Sequence, residues 1–121
     1  MVSRSKPTAQ EANRRVTFSA RGIVDDGYGN EVAGDWEAKF DVWAALRPGG
    51  GSETVIAARL EGRQVLHAYV RASSQTRQIT AEWRMKVTDH GVERIYAIDA
   101  QPDGLTMPGW IYFQVESGVA A

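Results

Sequence analysis

Cysteine is absent from the 121 residues, so no disulfide framework and no thiolate metal or redox centre is available to this chain. Histidine is nearly absent too. His67 and His90 are the only imidazoles, the first in an apparent strand and the second in an apparent turn, and neither has a second ligand at metal-binding spacing. No apolar run approaches the length needed to cross a membrane, and the opening Met1-Val-Ser-Arg-Ser-Lys-Pro7 lacks the apolar core of a signal peptide. These absences lead us to expect a soluble protein made in the cytoplasm, with no cofactor, no metal and no membrane partner. A chain of this length fits one domain and can bury a core without covalent staples.

Charge is nearly balanced overall but unevenly spread. Residues 1–22 carry Arg4, Lys6, Arg14, Arg15 and Arg21 against Glu11 alone, while the remainder holds nine Lys/Arg and fourteen Asp/Glu. We therefore divide the chain into a basic N-terminal arm, 1–13, and a single domain, 14–121. A basic arm on an acidic body suits an acidic partner, whereas a terminus of this kind is also often simply solvated.

What is present in quantity is period-two alternation. Ile79, Ala81, Trp83, Met85 and Val87 alternate with Thr80, Glu82, Arg84 and Lys86, which predicts a strand over 79–87 with one wet and one buried face. Asp89-His90-Gly91 then reads as a turn, and Val92–Ile98 as the returning strand of a hairpin. Similar patterns mark strands at Val16–Ala20, Trp36–Val42 and Leu66–Val70, and Trp110–Val115 has strand composition. The fold class expected is all-β: a small antiparallel barrel or sandwich of about six strands, with a long loop between the second and third.

Two features depart from a plain core pattern. Trp43 falls in phase with the polar residues of its strand, so either a bulge turns it inward or it stands on the outer face as an anchor for a contact. The segment from Arg47 to Arg63 has three consecutive glycines followed by Val55, Ile56, Ala57, Ala58 and Leu60. Connections this long within a small domain are uncommon and often functional; Thr54–Leu60 reads equally as a short helix or an extended loop.

Catalytic patterns are not found. Gly27-Tyr28-Gly29 lacks the third glycine of a dinucleotide site, Asp25-Asp26-Gly27 is too short for a calcium loop, and no serine occupies a nucleophile elbow. We expect no enzyme and no catalytic residues. A small barrel that stacks single-stranded nucleic acid or binds a saccharide remains an alternative, although most aromatics fall on the apolar phase of their strands.

Taken in order, the segments resemble the phage head–tail joining family, also called head closure or stopper proteins, found in tailed phages and gene transfer agents. The resemblance is carried by Arg15-Val16-Thr17-Phe18, the Asp26–Gly29 turn, Trp36, Val42-Trp43-Ala44, and the Pro/Gly loop with Glu53 leading to Ala57-Ala58-Arg59. It continues through Val70-Arg71, Thr76, Ile79, Trp83-Arg84, Tyr96-Ala97-Ile98 and Trp110, and spans roughly residues 14–116. The longer arm and the Met107-Pro108 loop depart from the pattern.

The resemblance implies a non-enzymatic virion neck protein, assembled in the bacterial cytoplasm into a homo-oligomeric ring of six rather than twelve. Its implied partners are an adaptor or portal ring on one side and the tail terminator on the other, with passive contact to packaged DNA. The implied channel loop comprises Pro48, Gly49, Gly50, Gly51, Ser52, Glu53, Val55, Ile56, Arg59 and Leu60. For the subunit interface the expected residues are Trp43, Val65, Tyr69, Arg14 and Arg15. Another ring component, such as the tail terminator itself, is the neighbouring alternative.

Overall fold

The structure is a computed structural model and describes residues 6–49, 60 and 62–117. Six strands follow one another: β1 (Arg14–Asp25), β2 (Glu31–Pro48), β3 (Val65–Arg71), β4 (Arg84–Asp89), β5 (Val92–Ile98) and β6 (Trp110–Ser117). They close into an antiparallel barrel in the order β1-β2-β3-β6-β5-β4, with β4 returning to β1. The all-β architecture is as the alternation predicts, and the long connection does lie between β2 and β3.

Inward positions match the apolar phase. Val16 and Phe18 of β1, Ala68 and Val70 of β3, Met85 and Val87 of β4, and Phe113 and Val115 of β6 meet in one core. Phe18 is its centre, with ring centroids 5.6 Å from Phe113 at an edge-on angle of 68° and 5.7 Å from Phe40. Such tilted pairs add to the burial of the rings themselves.

The strand expected over 79–87 is shorter than its alternation. A 3-10 turn at Thr76–Gln78 precedes it, Ile79 N–H donates to the Thr76 carbonyl (3.3 Å), and Trp83 N–H donates to the Thr80 carbonyl (3.1 Å). The backbone therefore turns through Thr80–Glu82, and pairing starts at Arg84. The apolar phase survives this because Ile79 still plugs the core at 1% exposure. Thr76 fixes the turn: its hydroxyl donates to the Arg71 carbonyl (2.6 Å) and accepts from Ser73 N–H (2.8 Å).

A smaller cluster lies on the outside of the β2-β3-β6 wall. Ala45, Tyr69 and Trp110 are buried there beneath Ala12 and Met107. Residues 6–13, part of the stretch read as the basic N-terminal arm, lie against this cluster. Pro7 is buried, and Glu11 accepts two hydrogen bonds from Arg47, at 2.6 and 2.9 Å, while the Arg47 guanidinium covers the Tyr69 ring at 4.6 Å. Tyr69 is thus sealed from outside by the chain's own N-terminal segment.

Candidate interaction surfaces

The β2–β3 connection leaves and re-enters one end of the barrel, and its two stems are clasped. Gly49 N–H donates to the Val65 carbonyl at 2.9 Å, and a Cβ at position 49 would lie 2.8 Å from that oxygen. No ordinary side chain fits so close an approach. On the returning stem, Ser117 N–H donates to the Gln64 carbonyl (2.9 Å), Tyr96 Oη donates to Gln64 Oε1 (2.9 Å), and Arg63 pairs with Glu116 at 2.7 Å. Around this root, a depression of about 470 Å³ is lined by Pro48, Gly49, Arg63 and Arg94, among others. A neighbouring one of about 270 Å³ shares Pro48 and Arg94 and adds Arg14 and Tyr96. Three arginines therefore stand about the loop root.

Of the expected channel-loop residues, Pro48 and Gly49 form the outgoing stem and Leu60 is 84% exposed. Gly50, Gly51, Ser52, Glu53, Val55, Ile56 and Arg59, and with them the choice between helix and extended loop over 54–60, lie outside the described residues.

The expected interface residues divide. Pairing between β1 and β2 runs without interruption from Arg14↔Ala44 to Phe18↔Phe40, so no bulge turns Trp43 inward, and it stands on the outer face at 52% exposure. The Arg15 guanidinium lies 5.3 Å from its ring. Arg71, on the other side of Trp43 in β3, helps line the same depression of about 300 Å³. Arg14 and Arg15 are exposed. Val65 and Tyr69, by contrast, are buried within the subunit at 4% and 2% exposure, Val65 against the Gly49 stem and Tyr69 beneath residues 6–13. Within the subunit these two outward positions of β3 are covered by the chain itself, whereas Arg71 on the same phase is exposed.

Sequence reasoning missed the distal half of the β1–β2 hairpin. β1 pairs with β4 only over Val16–Ser19, and β2 pairs with β3 only over Ala44–Pro48. Beyond these limits neither strand pairs with a third strand among the described residues, and past the contacts of Phe40 and Trp36 with Trp83 and Arg84 they continue as a two-stranded ribbon. Ile23, Val24 and Val32 are exposed on it at 72%, 49% and 42%, and Tyr28 at its tip at 89%. The tip is tied by Asp25, which accepts from Gly27 N–H (2.9 Å), and by Asp26, which accepts from Tyr28 N–H (2.7 Å) and Asn30 N–H (3.3 Å). The Tyr28 amide above all holds the Asp26 carboxyl below its ordinary pKa. At the ribbon's base, Arg21 and Arg84 flank Trp36 at 5.7 and 4.3 Å. The signal was in the sequence: residues 22–35 contain four acids and no cation, and apolar residues appear on both phases.

Among the described residues no three His, Asp or Glu side chains cluster as metal ligands would. His67 Nδ1 is 2.6 Å from Tyr112 Oη, and the two rings stack.

Fold and surfaces together define a six-stranded β-barrel with a clasped loop root at one end, a half-exposed Trp beside Arg15 and an acidic two-stranded extension. The chain belongs to the family of phage head completion proteins, whose model matches residues 7–118. Its fold is similar to that of protein SF1141 from Shigella flexneri 2a, solved in solution, with a TM-score of 0.65 and 21% identity over 90% of this chain and 95% of that one. It is also similar to a chain in the virion of a native gene transfer agent particle, with a TM-score of 0.59 and 26% identity over 90% of this chain and 96% of that one. No curated protein matches it.

Proposed function

We propose that this protein is a structural subunit of the head–tail neck of a tailed phage or phage-like particle, and that it closes the DNA channel there as a stopper ring. The observation that carries the reading is the family match over residues 7–118, supported by the likeness to a chain of a gene transfer agent virion. The subunits form a homo-oligomeric ring of six between an adaptor or portal ring and the tail terminator, assembled in the bacterial cytoplasm, and act without catalysis.

Within that reading, the β2–β3 connection is the channel element. Its stems are fixed to the barrel by the Gly49–Val65 and Gln64–Ser117 hydrogen bonds. A plug that later opens needs a firmly held root. Arg14 and Arg94 beside the root are suited to passive contact with packaged DNA. Trp43, Arg14 and Arg15 are the subunit-contact residues of the reading.

The test is replacement of residues 50–59 by a short Gly/Ser linker. The subunit should fold and join particles, while DNA-filled heads lose their genome. Heads that stay sealed would remove the stopper role and leave only a joining role.

A further inference from the structure

We infer that the acidic β1–β2 ribbon docks on the Trp43 depression of a second copy of this chain, so that one subunit carries both halves of the contact. The inference rests on the ring reading above and specifies which surfaces meet.

The ribbon needs a partner. A two-stranded hairpin with no third strand is marginal in water. This one also leaves Ile23 and Val32 exposed at 72% and 42%. No third strand pairs with it among the described residues over Ala20–Asp25 or Glu31–Trp43, where the Gly34 carbonyl accepts from Arg21 Nε at 2.8 Å. Such edges are normally covered or blunted.

Charge identifies the occupant. Residues 22–35 hold Asp25, Asp26, Glu31 and Asp35 and no cation, so an electropositive, partly apolar receptor is required. The Trp43 depression supplies one: an exposed Trp with the Arg15 guanidinium 5.3 Å from its ring, in a hollow of about 300 Å³ that Arg71 also lines while its own guanidinium lies 4.7 Å from the Trp110 ring. Asp41 also lines it, but its carboxylate is engaged by the Thr17 hydroxyl at 2.6 Å. Trp and Arg are the residue types that most often anchor protein contacts.

Distance makes the contact intermolecular. From Trp43 to the ribbon tip at Glu31 is twelve residues of extended strand, on the order of 40 Å, so a chain cannot fold its own ribbon back onto its own Trp43. Two different complementary surfaces on one chain give a head-to-tail contact, the kind that closes into rings.

The experiment is a charge swap read by sedimentation equilibrium. Glu31→Arg with Asp35→Arg reverses the ribbon while sparing the Asp25 and Asp26 turn bonds; Arg15→Glu with Arg71→Glu reverses the receptor. Thermal unfolding of each variant checks that the barrel is intact. The full-length wild type should self-associate with concentration, and each variant alone should do so at least about tenfold more weakly. Mixing the two variants should restore association, because each reversed surface then meets its complement. Single variants that associate like wild type, or a mixture no better than either alone, would overturn the inference. A wild type that stays monomeric at the highest attainable concentration would also overturn it, and would leave the neck assignment to be judged on particles.

Discussion

Phe18 and Trp43 sit on adjacent strands of the same hairpin and have opposite fates, which a pair of substitutions can separate. Phe18 is fully buried between Phe40 and Phe113, so Phe18→Ala should cost about 3–5 kcal/mol in chemical denaturation. Trp43 is half exposed, with the Arg15 guanidinium 5.3 Å from its ring, so Trp43→Ala should change monomer stability by no more than about 1 kcal/mol while weakening assembly. A large loss of monomer stability would make Trp43 a core residue instead. Gly49 is a third informative position. A methyl there meets the Val65 carbonyl at 2.8 Å, so Gly49→Ala should destabilise the subunit by about 1–3 kcal/mol. Unchanged stability would mean the stem can shift, contrary to a rigid loop root. The Glu11–Arg47 pair makes a pH-dependent contribution. The hydrogen bond from Arg47, aided by its charge, holds the Glu11 carboxyl below its ordinary value of 4.5 against the opposing effect of burial. A depressed folded pKa means the stabilisation is present above 4.5 and is lost as pH falls through the lower folded value. Both side chains are partly exposed, which limits the effect to about 1 kcal/mol. Glu11→Gln should flatten the acid limb of the melting temperature against pH; an identical limb would show that the pair contributes nothing.

At the scale of elements, alternation was a good guide wherever a strand has one face on the core and one in water. Val16–Phe18, Met85–Val87 and the strand after Trp110 follow it directly. It misled where the buried phase continues through a turn: Ile79 occupies the core from the end of a 3-10 turn, and side-chain phase cannot distinguish that from a strand. Val65 and Tyr69 have the outward phase of β3 yet are buried within the subunit, because other parts of the chain cover them and no local pattern records a long-range cover. At Trp43 the sequence left an inward bulge and an outer position both open, and β1–β2 register without a shift from Arg14 to Phe18 keeps it outside. The β1–β2 ribbon escaped notice because exposed apolar residues on both phases look like ordinary strand composition until one sees that β3 and β4 stop short of them. The ribbon and the β2–β3 connection each carry a distinct test: charge reversal for the first and linker replacement of residues 50–59 for the second.

For the whole molecule, the proposed function makes the closed barrel a mount for the surfaces that the two tests address. The class of fold was readable because six alternating segments with turn chemistry between them admit few arrangements other than a closed antiparallel sheet. Family membership was readable from the order of weakly specific pieces, none of which is diagnostic alone. Surfaces were less readable, since a contact between subunits is encoded on two separate patches whose relation appears only once the strands are paired. The most direct measurement of the central claim is electron cryomicroscopy of intact particles containing this chain. The account predicts a ring of this barrel between portal and tail, with residues 48–62 of each subunit directed at the channel axis. Particles whose neck lacks the chain would contradict the neck assignment, and a ring whose loops point away from the axis would contradict the closure of the channel.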